Sequence, residues 1–219
     1  MDYINIFATR WRDLGSAMIE HIIISGAALL LGIIIAVPLG IYLVKTKNTW
    51  LRSIAFTITN IFQTIPSLAL LAILIPLIGI GKFPAIIALF LYSLLPILRN
   101  TYSGFQSIDP SVIEAARGMG YDGRQRLFQI ELPLAIPYLM SGIRLTTIYV
   151  ISWATLATLI GAGGLGELIY GGLSVYDKPL IFASSITTMI LAIVIDLLLG
   201  SLERLLTKQT TSREQSASS

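Results

Sequence analysis

Apolar residues run along this chain in long blocks separated by short polar stretches. Ile22–Val44 holds 23 residues without a charge, Ser53–Gly81 holds 29 interrupted only by Pro66 and Pro76, and Phe83–Leu98 holds 16. Leu132–Gly166 is charge-free except for Arg144, and Pro179–Leu202 except for Asp196. A helix crossing the ~30 Å hydrocarbon core of a bilayer needs about 20 mostly apolar residues. The pattern therefore predicts an all-α, polytopic membrane protein with five spans, roughly over 19–44, 53–78, 83–99, 134–159 and 179–202. Residues 1–18 lack an apolar stretch long enough for a signal peptide, and Trp11 among Arg10, Arg12 and Asp13 suggests a short helix lying at the interface. The Ser/Thr/Gln-rich segment 204–219 reads as a disordered tail.

Composition sharpens this picture. Hydrophobic residues make up 55% of the 219 and charged residues only 12%, against about 25% charged in soluble domains. This balance argues against a water-soluble globule. The absence of cysteine removes disulfides and thiolate metal sites, and a single histidine removes a multi-histidine site. The cations sort by side rather than gathering into a nucleic-acid-binding patch. If 45–52, 99–133 and the C-terminal segment are cytoplasmic, they hold ten of the fifteen Lys and Arg residues, with four on the other side. The cation bias then places the N-terminus outside and the C-terminus in the cytoplasm.

The longest connection, 100–133, has structure of its own. Asp109-Pro110-Ser111-Val112-Ile113-Glu114 is a helix start, capped either by Asp109 ahead of Pro110 or by Ser111 in a box with Glu114. Gly118 and Gly120 stop that helix, and a second, amphipathic one starts at Asp122 and runs to Pro133. On physical grounds two readings stand: a connector held on the lipid headgroups by Arg117, Arg124 and Arg126, or an element presented to a cytoplasmic partner.

The residues of this loop also carry a resemblance. Glu114-Ala115-Ala116, then Gly120 after three intervening residues, then Ile130-x-Leu132-Pro133 after nine more, resemble the EAA loop of membrane subunits in type I ABC importers. The resemblance implies that the helix near 111–120 couples to a separate cassette ATPase subunit, which would carry the ATP and Mg. Glu114 then offers a carboxylate to a basic partner or caps its own helix. Ala115 and Ala116 allow close approach, and Gly120 allows a sharp turn. The chain lacks the G-x-x-x-x-G-K-[ST] phosphate cradle, so neither nucleotide hydrolysis nor a cofactor is expected on it. Further partners implied are the lipid bilayer, an external substrate-binding protein and a second permease subunit, either a copy or a paralogue, because five spans are too few to enclose a path.

Three further stretches are similar to permeases for quaternary amine osmoprotectants: Gln63–Leu70, Leu94–Thr101 and the glycine run Ile160–Gly166. The implied cargo is glycine betaine, carnitine or choline. The glycine run also occurs in related amino-acid permeases, so a cargo such as methionine stays open. An ATP-independent channel or secondary carrier is the alternative from another class; it calls for inverted repeats or more mid-bilayer charge.

Asn60, Gln63, Thr64 and Ser67 recur at helical spacing, and with Trp153 they are candidates to line the path. Interhelical hydrogen bonding would explain the polar four equally well, and aromatics in spans commonly pack against neighbours. Arg144 and Asp196 are expected to share one polar layer as an ion pair. Gly161–Gly166 is expected to end the fourth span, with an outer loop through Glu167, Tyr170, Gly171 and Gly172 to Asp177. Glu20 and His21 read as interface residues.

Overall fold

The computed structural model describes residues 3–217, with side chains described through 207. Every described element is helical. In chain order they are α1 (Asn5–Thr9), α2 (Trp11–Lys45), α3 (Thr49–Thr64), α4 (Ser67–Ile78), α5 (Lys82–Gln106), α6 (Pro110–Gly118), α7 (Gly123–Arg126), a π-turn (Leu127–Glu131), α8 (Leu132–Ala154), a 3-10 turn (Leu156–Ile160), α9 (Leu165–Ser174) and α10 (Lys178–Ala217). α2, α5, α8 with its lead-in, and α10 are each long and apolar enough to cross a membrane.

The second expected span departs from a straight rod. α3 and α4 meet at 100°, and Pro66 is the physical reason. It supplies no N–H to the helical ladder, and it forces Ile65 out of the helical region to φ −71°, ψ 128°. At ~1.5 Å per residue, the 12 residues of α4 and the 16 of α3 are each too short to cross ~30 Å alone.

Other boundaries shift as well. α2 begins at Trp11, so residues 11–18 of the expected interfacial segment are the first turns of the first long helix. α5 continues to Gln106, about two turns past the expected end. α8 stops at Ala154 and tightens into the 3-10 turn. The expected outer loop contains the helix α9, which starts directly after Gly164 (φ 80°). α10 carries on to Ala217 through the segment expected as a tail, because no Gly or Pro follows Gly200 to interrupt its ladder.

α5 is the central helix, packed against α2 on one side and α8 on the other. Its core residues Ala88, Leu89 and Tyr92 meet Ile24 and Ala28 of α2 and Val150 and Ala154 of α8. Small residues let the backbones close: a Cβ on Gly32 would lie 2.1 Å from Ser93 Oγ, and one on Gly142 would lie 2.4 Å from the Asn100 Cβ. Such contacts suit helices associating in lipid, where close packing replaces the hydrophobic driving force.

At the end of α2 remote from α6, Glu20 and His21 are structural rather than interfacial. His21 is fully buried, and its Nε2 lies 2.9 Å from the Ile151 carbonyl. A carbonyl only accepts, so Nε2 carries the hydrogen. Glu20 takes Lys82 Nζ at 2.8 Å and accepts the Gly164 N–H at 3.2 Å. Glu20 thereby holds the loop that joins the 3-10 turn to α9, and His21 joins α2 to α8.

Candidate functional site

The loop between α5 and α8 builds the first part of the site. Asp109 caps α6, accepting the Ser111 N–H at 2.8 Å with Pro110 in the first turn. Of the two caps the sequence allowed, the structure uses Asp109, and this hydrogen bond holds the Asp109 carboxyl below the ordinary aspartate range. Glu114 is thereby free of a capping role. Its side chain is exposed beside exposed Ala115, while Ala116 is buried against the body of the protein. α6 therefore shows solvent a carboxylate next to a small residue, with the chain anchored on the other face.

Gly120 closes the loop at φ 84°, a left-handed conformation that only glycine adopts without strain. The Tyr121 N–H returns to the Ala116 carbonyl at 3.1 Å. Asp122 and Gln125 then form a reciprocal capping box that starts α7. The amphipathic helix expected over 122–133 is not uniform. Leu127–Glu131 forms a π-turn, with the Leu132 N–H bonded to the Leu127 carbonyl five residues back. Ile130, Leu132 and Pro133 lie at this turn and at the start of α8.

Glu131, the unspecified position of the motif, is a residue that sequence reasoning passed over. It is buried, and its two oxygens meet Arg126 Nε at 2.9 Å and Lys45 Nζ at 3.0 Å. The available signal was a carboxylate flanked by Ile130 and Leu132 in a largely apolar run. Its partner Lys45, at the far end of another helix, could not be read from spacing.

The second part of the site is the α3–α4 bend. Gln63 Nε2 donates to the Tyr92 carbonyl. Tyr92 Oη donates to the Ile65 carbonyl at 2.5 Å, occupying backbone that Pro66 leaves outside the helix. The Tyr92 ring lies 4.8 Å from that of Trp153, which stacks in turn on Tyr149 at 5.6 Å. Trp153 is thus brought to the bend through Tyr92. Thr64 turns its hydroxyl back onto the Ile61 carbonyl at 2.8 Å, and Asn60 is exposed. Ser67 is half-buried in the first turn of α4.

Exposed positions on these helices form stripes. α3 shows Ser53, Thr57, Asn60 and Thr64 along one side, with Trp50, Ile58 and Ile61 exposed beside them; α8 shows Tyr138, Ser141, Leu145, Tyr149 and Ser152. α2 and α10 instead expose Ile and Leu almost without interruption.

The third part joins α8 to α10. Arg144 Nε and a terminal nitrogen reach the two oxygens of Asp196 at 2.5 and 2.7 Å, a bidentate pair. Glu203, one residue past the expected fifth span, adds a second carboxylate at 3.5 Å. The guanidinium lies over Gly200, where a Cβ would come within 3.1 Å of it. No group of three or more acidic, His or Cys residues able to hold a metal occurs among the described residues.

Residues 28–211 match the family described as binding-protein-dependent transport system inner membrane component. Over 188 residues, 86% of each chain, the sequence is 50% identical to the glycine betaine/carnitine/choline transport system permease protein OpuCB of Bacillus subtilis (strain 168). It is 48% identical, over 86% of this chain and 85% of the other, to the carnitine transport permease protein OpuCB of Listeria monocytogenes. Among solved structures it is similar to the MetNI methionine ABC transporter in inward-facing conformations, with a TM-score of 0.81 and 27% identity over 89% of this chain and 96% of that one. The matched range takes in α6, the bend and the Arg144–Asp196 pair, and the chain belongs to the binding-protein-dependent transport system inner membrane component family, as a multi-pass permease subunit of an ABC importer.

Proposed function

We propose that this permease carries quaternary amine osmoprotectants (glycine betaine, carnitine or choline) and that it couples their passage to a separate cassette ATPase by alternating access. Two similar permeases are named for these compounds, which supports the cargo class. The observation that carries the coupling reading is α6: a short, firmly capped helix between two apolar spans, anchored through Ala116 and offering Glu114 and Ala115 outward. Cassette subunits would seat this helix in a groove, with Glu114 facing a basic side chain and Ala115 permitting close contact. ATP, Mg and hydrolysis belong to those subunits.

In this reading α3–α4 counts as one broken span, giving five, with the N-terminus outside and α6 in the cytoplasm with the C-terminus. A broken helix is tolerated at membrane depth where it is buried in protein or lines a water-filled cavity. That supports a path past Asn60, Gln63, Thr64, Ser67 and Trp153. The polar stripes of α3 and α8 face a second permease subunit, a copy or a paralogue, across that path. An external binding protein delivers cargo at the opposite end, near Gly164 and α9. Trp153 and Tyr149 offer aromatic faces to a quaternary ammonium group. They are stacked on each other rather than arranged as a box, which suits passage better than retention.

The test is ATP-driven uptake in proteoliposomes holding the permease with its ATPase and binding protein. Glycine betaine, carnitine or choline should accumulate in preference to methionine; uptake of methionine alone would overturn the cargo assignment. Glu114→Lys should release or uncouple the ATPase. Wild-type uptake in that variant would refute α6 as the docking element.

A further inference from the structure

In a regular α-helix, residues five apart point to different sides, and only i+3 and i+4 neighbours meet. Arg126 and Glu131 are five apart, yet they form an ion pair at 2.9 Å. The π-turn between them explains this: its wider winding, with hydrogen bonds spanning five residues, returns Glu131 to the face of Arg126. The same turn buries the carboxylate, leaving its side chain 7% exposed, where its other oxygen meets Lys45, the last residue of α2. One carboxylate thus ties the docking loop to a helix that shares no chain continuity with it.

The connections run without a gap from α6. Ala116 accepts the Tyr121 N–H, the Asp122–Gln125 box sets α7, α7 ends on Arg126, Arg126 holds Glu131, and Glu131 holds Lys45. α8 follows α7 through the π-turn by covalent continuity. α2 is reached at this end by the Glu131–Lys45 ion pair and by apolar packing, in which Val37, Ile41 and Val44 share a cluster with Ile113, Leu127 and Leu132. Of these the ion pair alone fixes a direction and a charge. We propose that Glu131 is a positioning residue that delivers displacement of the docking helix to α2 as well as α8, so that both helices move when the ATPase moves α6. This rests on the reading of α6 as the docking element.

Glu131→Gln keeps the shape and removes the charge that both cations share. In the full transporter, reconstituted in proteoliposomes with glycine betaine as probe, the ATPase should copurify at the wild-type ratio. Cargo carried per ATP hydrolysed should fall by about fivefold or more, the lower end of ordinary site-to-site coupling. Lys45→Met cuts only the α2 limb, at a side chain 38% exposed that tolerates change, and should produce the same fall; Lys45→Arg should keep the wild-type ratio. A residue that merely stabilises the fold would lower yield and leave cargo per ATP unchanged. If Lys45→Met carries the wild-type amount of cargo per ATP, the relay to α2 is overturned. Loss of the ATPase from the Glu131→Gln complex would also overturn it, by assigning Glu131 to docking itself. Failure of the docking reading shows separately, in a Glu114→Lys variant that still binds and couples its ATPase.

Discussion

The protein has two exteriors. On α2 and α10 the outward side chains are Ile19, Ile23, Leu30 and Ile34, and Met189, Ile193, Val194 and Leu197. On α3 and α8 they include Ser53, Thr57, Asn60 and Thr64, and Tyr138, Ser141, Tyr149 and Ser152. All four helices belong to apolar segments, yet they ask different things of their surroundings. Lipid tails provide no hydrogen-bond partner, so a bilayer satisfies the first pair and the exposed Ile58, Ile61 and Leu145 of the second, but not the polar stripes beside them. Some hydroxyls of the second pair meet the need internally: Ser152 bonds to Ile148 O at 2.9 Å and Thr64 to Ile61 O at 2.8 Å. The amide of Asn60 makes no such bond among the described residues. A hydropathy average over either pair conceals this division.

A charge placed on each exterior separates them most sharply. Ile193→Arg, near the middle of α10, should cost about 2.5–3.5 kcal/mol of insertion free energy, seen as loss of membrane-integrated chain. Thr57→Arg should integrate at the wild-type level and reduce transport instead. Equal integration of the two variants would erase the distinction.

The next effect lies at the seam where α8 meets α10. Reversing Arg144 and Asp196 singly should reduce folded protein, and reversing both should restore part of it. Recovery should be incomplete because Glu203, 3.5 Å from the Arg144 guanidinium, would then face an acidic residue at 144. Adding Glu203→Gln should bring the yield closer to wild type, as read from size-exclusion profiles in detergent. A double reversal no better than the singles would detach the pair from the integrity of this seam.

The smallest effect is beneath the polar exterior. Tyr92→Phe removes the hydrogen bond to the Ile65 carbonyl and should destabilise by about 1 kcal/mol. The thermal unfolding midpoint should drop by a few degrees, an order of magnitude set by that energy. An unchanged midpoint would mean that the bend does not depend on this hydroxyl.

Much of this was legible in the chain because its causes are local. Charge-free length located the long helices, and Asp109-Pro110 and Gly118-x-Gly120 bracketed α6. The bend was not legible, since hydropathy records length without direction and proline alone does not decide. Pro38, Pro76, Pro96 and Pro137 sit inside helices that continue, whereas Pro66 ends one. α9 was hidden because its ten residues include Gly166, Gly171 and Gly172; at Gly166 a Cβ would stand 2.1 Å from the Thr155 carbonyl oxygen, a constraint of packing rather than of helix propensity. Glu131 and His21 owe their burial to residues far along the sequence, which periodicity cannot reveal.

The bend has a consequence for how the protein is made. The groups that accommodate it come from Tyr92, 27 and 29 positions after Ile65 and Gln63. Synthesis proceeds from the N-terminus, so the α3–α4 segment leaves the ribosome before its partner exists. Until α5 arrives, the Ile65 carbonyl and the Gln63 amide must be hydrated or shielded by the insertion machinery. The second hydrophobic segment is therefore completed by the third.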